Sequence, residues 1–435
     1  MTNADVAPVM PAEPSVTGRE SVRRAWTVTA LLVVFMMVNF ADKAVLGLAA
    51  DPIRHDLGLS ATEFGLANSA FFVLFSLCGG AVGLLADRVR PRSLLLVMAL
   101  LWSVAQLPMA LGAGRAALVA SRIVLGAAEG PAFPVAQHSA LSWFPNERRN
   151  LPGALITVGT ALGVVTAAPG LTWVIHHHGW RSAFGVVAAA GALWAAGWLG
   201  VGREGRHAGT TPSPAGSTAT GEARADVPYR RILGTRTWIG ATVAYFSTYW
   251  CVALLLVWLP SYLHDALGYT TTTAASLIAM LWTAAAVAIL GQAGLTGRLL
   301  RRGVTSRWAR ARVGGITLLI SAVACLALPG APRGPLTVLL LLLGFGMCGV
   351  MTSIAVTTVA ELAPVRRRGG ALGLMNAVVT TAGLIAPTLT GHLVDTQGAA
   401  GYRHAVLLAG VLLLAGGIAA VTLIDPVRDA RHLAA

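Results

Sequence analysis

Long apolar runs dominate the chain, and short polar breaks separate them at near-regular intervals. A helix crosses a bilayer with about 20 apolar residues. Twelve stretches meet that length, near 25–50, 62–86, 93–112, 116–139, 151–175, 181–201, 237–263, 272–296, 313–330, 335–360, 369–394 and 402–424. The pattern predicts an all-α membrane protein with twelve transmembrane helices, here called spans 1 to 12. The longest polar stretch, "GREGRHAGTTPSPAGSTATGEARADVPYRR", lies between spans 6 and 7 and is rich in Gly, Thr, Ser and Pro. Such a composition buries too little apolar area to order itself and reads as a flexible linker. The expected organisation is a tail over 1–24, a six-helix bundle over 25–201, a linker over 202–236, a second six-helix bundle over 237–424 and a tail over 425–435.

The halves echo each other. "WFPNERRN" after span 4 and "ELAPVRRRGG" after span 10 each place two Arg three and four residues beyond a Pro: Pro145, Arg148 and Arg149, then Pro364, Arg367 and Arg368. Basic loops also follow spans 2 and 8, "GLLADRVRPR" and "GLTGRLLRRG". Repeats of this kind build many secondary transporters, with the substrate near the midplane between them.

Composition agrees with a membrane chain: 55% of residues are apolar and 11% charged, against roughly 25% charged in soluble domains. The net charge of +14 would suggest a nucleic-acid partner only if the charge formed a surface, and it does not. The tails and the loops after even-numbered spans hold 25 Arg, whereas the opposite loops hold Arg54, Arg115, Arg181, Arg333 and Arg403. By the positive-inside rule both termini are expected in the cytoplasm of a cell, with the chain in the cell's inner membrane. Residues 1–24 lack the short apolar core of a cleavable signal, so span 1 is expected to direct insertion. Cys78, Cys251, Cys325 and Cys348 all fall inside spans and read as small packing residues.

With these loops in view, the chain resembles the major facilitator superfamily. Gly83, Leu85, Asp87, Arg88 and Arg92 match its loop signature Gly-x-Leu-x-Asp-Arg-x-Gly-x-Arg, with Arg90 in place of the second Gly. The resemblance implies the two-bundle major facilitator fold and a cytoplasmic gate at Gly83, Asp87, Arg88 and Arg92, in which an acid at a helix end pairs across the halves in one state only. More specific are "RIVLGAAEGPAFPVAQHSALSWFPNERRN", "GWRSAFG", "VWLPSYL" and "LGLMNAVVTTAGLIAPTLTGHLVD". They are similar to the anion:cation symporter branch, which carries small organic carboxylates, commonly with protons. The drug-antiporter signature Gly-x-x-x-Gly-Pro is broken, since Val164 follows Gly159 and Gly163.

Four ionisable residues stand inside the first-half spans: Asp42, Lys43, Arg122 and Glu129. Each costs roughly 2.5 to 3.5 kcal/mol to insert, so each is a functional candidate. Asp42 and Lys43 diverge by about 100° around span 1 and are expected to find partners on other helices. At 1.5 Å per residue, Lys43 and Arg122 lie about 10 Å from the outer end of their spans, and Glu129 about 10 Å deeper. Two cations at one level above an acid make a pocket for an anion. The four formal charges sum to zero, so a bound monocarboxylate and one proton favour each other. Glu129 is read as the substrate-linked acid and Asp42 as a second protonation site, roles the resemblance also implies. Lys43 is the single lysine among 32 basic residues, and a compact ammonium suits a narrower site than a guanidinium fork does.

The second half offers neutral candidates for the rest of the substrate: Tyr245 and Tyr249 in span 7, Asn376 and Thr380 in span 11. The branch often has tyrosine where this chain has Phe40 and Phe75, which points away from sugar acids and toward an apolar or aromatic carboxylate. Three consecutive histidines, 176–178, do not converge on one ion, and no metal, cofactor, nucleophile triad or phosphate loop is read. His138 reads as an interfacial residue. The sequence thus predicts a non-enzymatic secondary transporter, expected as a monomer, importing a small organic anion with protons. The alternatives are a facilitator-fold exporter or anion exchanger and, from another class, a non-transporting membrane sensor.

Overall fold

The computed structural model describes residues 16–85, 90–144, 150–203, 205, 227–364 and 367–434. Among them twelve helices are long and apolar enough to cross a membrane. They are span 1 (Val22–Leu48), span 2 (Ala61–Gly79), span 3 (Pro91–Ala110), span 4 (Arg115–Leu141), span 5 (Leu155–His178) and span 6 (Trp180–Val201). The second half follows with span 7 (Arg236–Val257), span 8 (Thr271–Arg301), span 9 (Arg307–Gly330), span 10 (Pro335–Leu362), span 11 (Gly370–Gln397) and span 12 (Ala399–Leu423). Each apolar run corresponds to one span. Span 4 is two helices, Arg115–Glu129 and Ala132–Leu141, parted where Pro131 lacks an N–H for the ladder.

Twelve crossings put the start of span 1 and the end of span 12 on one face, the termini face; the other is the far face. Glycines set how closely the helices cross. A methyl group at Gly126 or Gly130 of span 4 would collide with the carbonyls of Phe71 and Phe75, and one at Gly163 of span 5 with that of Met37. The same device joins the two halves near the far face, where Gly47 abuts the Leu256 carbonyl, Gly65 that of Pro387 and Gly391 that of Ala61. Small residues let backbones approach in this way where lipid gives helices no hydrophobic reason to associate.

The apolar core is correspondingly divided. One core fuses far-face residues of the first six spans, such as Val45, Phe64 and Leu118, with the second six, including Trp258, Leu281 and Phe345. Another contains first-half residues alone, among them Leu32, Phe35, Trp102, Ile156 and Trp198, which lie toward the termini face. Hydrogen bonds follow the fused core. Asp395 at the end of span 11 accepts from the Ala61 and Thr62 N–H groups, each at 2.7 Å, and from the Thr62 hydroxyl at 2.5 Å. It therefore caps a helix of the other half. Ser69 meets Thr388 at 2.8 Å, Ser261 donates to Asp51 at 3.2 Å and His176 meets Thr271 at 2.9 Å.

Two short helices lie in segments read from sequence as linker and tail. Tyr229–Leu233 forms in the last part of the linker, where Ile232 is buried and the Arg367 guanidinium lies 4.8 Å from the Tyr229 ring. Pro426–Ala434 forms beyond span 12, and Asp429 there accepts from the Thr237 N–H at 2.8 Å, capping span 7. Both are ordered by tertiary contacts that a hydropathy pattern does not register.

Candidate functional site

The close crossing of span 4 on span 2 brings Arg122 and Glu129, on one face of span 4, up to span 1. Asp42, Arg122 and Glu129 are 1%, 3% and 2% exposed. The Lys43 ammonium donates to Glu129 Oε2 and, at 2.6 Å, to Asn39 Oδ1 one turn earlier on its own helix. Helical side chains lean toward the N-terminus of their helix, and span 1 starts on the termini face, so the long Lys43 stem descends toward the midplane. The depth difference expected between Lys43 and Glu129 is thereby closed. The expectation that both residues of the Asp42–Lys43 pair find partners only on other helices is corrected for Lys43, because Asn39 lies within hydrogen-bond reach at i−4.

The Lys43 ammonium also lies 4.8 Å from the Phe40 ring centroid, 5.6 Å from Phe71 and 5.8 Å from Phe75. Ring faces attract a cation in this range and exclude water from it. Asp42 lies next to the Glu129 carboxyl and also within the field of Arg122 and Lys43. Two carboxyl groups bond only when one carries a proton, and as ionised groups Asp42 and Glu129 Oε1 have no donor among the described residues. Arg122 Nε and Nη2 and Asn39 Nδ2 likewise have no acceptor among them. A buried guanidinium edge with two unused N–H groups is the geometry that takes a carboxylate in a bidentate grip.

The second-half candidates separate. Tyr249 stands near the Glu129 charge, its ring 6.3 Å from that of Tyr245 and 6.0 Å from that of Phe72. Thr380 meets Ser76 of the other half at 2.5 Å and donates to the Asn376 carbonyl at 2.9 Å, so in this arrangement it joins the halves. Of the gate residues, Asp87 and Arg88 lie outside the described residues, Gly83 falls in the helix Ala61–Leu85, and Arg92 donates to the Leu199 carbonyl at 3.1 Å within the first half. Sequence reasoning missed Asn39 and Trp282. The first is signalled by its i−4 spacing from Lys43; the second, whose ring meets Phe40 at 5.9 Å across the halves, has no local signal.

Among the described residues, Asp51, His264 and Asp265 bring metal-capable donor atoms within 4.8 Å of one another. They sit on the far face, away from the buried charges, and the Arg54 guanidinium 4.0 Å from Asp51 opposes a second cation. The three histidines do not converge: His176 meets Thr271, and the His177 ring stacks on Trp173 at 4.7 Å.

Two helical bundles joined on one face, with a buried charge cluster in the first, are the architecture of a membrane transport protein. The sequence matches the Major Facilitator Superfamily over residues 32–354 and 303–434, and the chain belongs to that family. It is 27% identical to a hexuronate transporter of Bacillus subtilis (strain 168) over 403 residues, covering 90% of this chain and 92% of that one. A D-galactonate transporter of Escherichia coli O6:H1 is 26% identical over 421 residues, covering 93% and 97%. A probable galactarate/D-glucarate transporter of B. subtilis is 27% identical over 456 residues, covering 98% and 96%. These relatives are organic-anion transporters, in keeping with the anion:cation symporter branch. A bacterial homolog of the human lysosomal transporter Spinster, solved inward-facing and unoccupied, superposes with TM-score 0.77 at 18% identity, covering 93% of this chain and 98% of that one. A D-xylose–proton symporter superposes with TM-score 0.73 at 15% identity, covering 93% and 99%. Both share the fold.

Proposed function

We propose that this chain imports a small organic carboxylate together with protons across the cell membrane, by alternating access and with both termini in the cytoplasm. The observation that carries the reading is the unpartnered Nε and Nη2 edge of buried Arg122 beside the carboxyl groups of Asp42 and Glu129. Arg122 grips the carboxylate. One proton on the Asp42–Glu129 pair leaves the four-residue cluster with one net positive charge, which the bound anion neutralises. Each ligand thereby favours the other, the reciprocity symport requires.

Lys43 acts within the same site as a switchable partner: it holds Glu129 while that acid is ionised and is released toward the anion when Glu129 takes a proton. Tyr245, Tyr249, Asn376 and Thr380 face the rest of the substrate. The far face is sealed by Asp395, Asp51 and the close glycine crossings, which supports reading this conformer as open to the cytoplasm. Gly83, Asp87, Arg88 and Arg92 then form the gate that closes that side in the other state. Asp42 and Glu129, as the proton sites, are absent from the second half, so coupling resides in the first.

The test is uptake of labelled carboxylates, benzoate and D-galactonate among them, into proteoliposomes with an acid exterior. Arg122→Gln should abolish uptake, and Arg122→Lys should retain a weak signal, because a point charge replaces the planar fork. Uptake by Arg122→Gln at the parent's rate contradicts the reading.

A further inference from the structure

We infer that the carried anion is an aromatic monocarboxylate and that a polyhydroxy acid is a poor substrate; the inference rests on the carboxylate site just proposed. It follows from what surrounds the charges. Three phenyl rings, of Phe40, Phe71 and Phe75, lie within 5.8 Å of the Lys43 ammonium. From the other half, Trp282 meets Phe40 edge-on, with centroids 5.9 Å apart and planes at 78°. Tyr249 meets Phe72 at 6.0 Å and 82°. Phe40 and Tyr249 each rest against both apolar cores, so they stand where the fused core and the first-half core meet. Aromatic rings favour edge-to-face and offset-stacked neighbours, so a cluster of this kind offers a substrate ring partners of its own type.

Beyond the Tyr245 and Tyr249 hydroxyls and the Asn376 amide, the polar groups nearby are few, and several are already engaged. Ser76 and Thr380 bond each other, and Asn39 Oδ1 holds Lys43. Among the residues that carry these charges and rings, the buried atoms with no partner among the described residues are the donors Asn39 Nδ2, Arg122 Nε, Arg122 Nη2 and Trp282 Nε1, apart from the oxygens of the two proton-site acids. Donors suit a carboxylate. A sugar acid brings several hydroxyls, each needing an acceptor as well as a donor, and against phenyl walls those hydroxyls lose water without replacement. The charge count selects one carboxylate: with one proton on the acid pair, Asp42, Lys43, Arg122 and Glu129 carry a single net positive charge, which one carboxylate neutralises.

The experiment is calorimetric titration of the purified full-length chain with benzoate, phenylacetate, cinnamate, cyclohexanecarboxylate, D-galactonate and D-glucuronate. The best aromatic acid should bind at least about tenfold more tightly than either sugar acid, the scale on which an apolar pocket discriminates. In the double variant F40Y/F75Y, checked for an unchanged unfolding temperature, D-galactonate should gain affinity and narrow that ratio. Tighter binding of a sugar acid than of any aromatic acid overturns the inference and leaves the carboxylate site intact. Equal binding of cyclohexanecarboxylate and benzoate also overturns it, since the walls then select apolar bulk and not a ring. If no acid binds, or Arg122→Gln binds the tightest acid as well as the parent does, the carboxylate site itself fails and the inference falls with it.

Discussion

Lys43 is the single lysine among 32 basic residues, and its surroundings are close. The ammonium is gripped by Asn39 and Glu129 beneath three phenyl rings, and a guanidinium would bring a wide planar fork to contacts now made by a compact point charge. Lys43→Arg should therefore fold and still bind carboxylate, but about tenfold more weakly, whereas Lys43→Ala leaves Glu129 buried without its cation and should lose binding. Affinity by calorimetry on well-folded protein checks both; unchanged affinity in Lys43→Ala would make the lysine irrelevant to the site. The four charges were legible in the sequence because an ionisable group in a span is costly and so stands out. Their pairing was not, because depth along a helix axis ignores the lean of a long side chain. Trp282 was illegible for another reason: its partner lies in the other half, and nothing in its own span sets it apart.

The helical elements were legible from hydropathy alone, and what escaped was how they meet. The Asp395 cap on span 2 joins residues 334 and 333 positions apart, a distance no local pattern spans. The far-face segments carry a proton-sensitive contact of the same sort. Asp51, in the short helix Ala50–Leu57 after span 1, faces Ser261, His264 and Asp265 of the other half and Arg54 of its own. Burial, followed by the Asp265 charge, raises its carboxyl above the ordinary range despite Ser261, Arg54 and His264, which pull the other way. An acid so raised favours the closed far face when protonated. That advantage is present below the ordinary carboxylate pKa and is lost as pH rises through the raised value. Labelling of a cysteine placed at Thr271 should thus increase as the exterior is brought from acid to neutral pH. Asp51→Asn should stay closed across the range; the same pH dependence in that variant would rule Asp51 out as the sensor.

For the whole molecule, the apolar runs gave twelve spans, the repeat of basic loops two bundles, and the positive-inside count an expected sidedness. A reporter fused at residue 215 or at the C-terminus should be cytoplasmic and one inserted at 178 external, read by compartment-specific activity; an external reporter at 215 would invert the proposed orientation. The buried charge cluster is confined to the first half, on spans 1 and 4. What the two bundles do together is the central claim, that anion and proton move as one. Its most direct measurement is accumulation of the tightest-binding carboxylate in proteoliposomes under an imposed pH gradient, for the parent and for Glu129→Gln. The parent should concentrate the anion on the alkaline side, while Glu129→Gln, fixed in the protonated likeness, should exchange it across the membrane without concentrating it. Accumulation by Glu129→Gln equal to the parent's, or none by the parent under any gradient, would contradict the account.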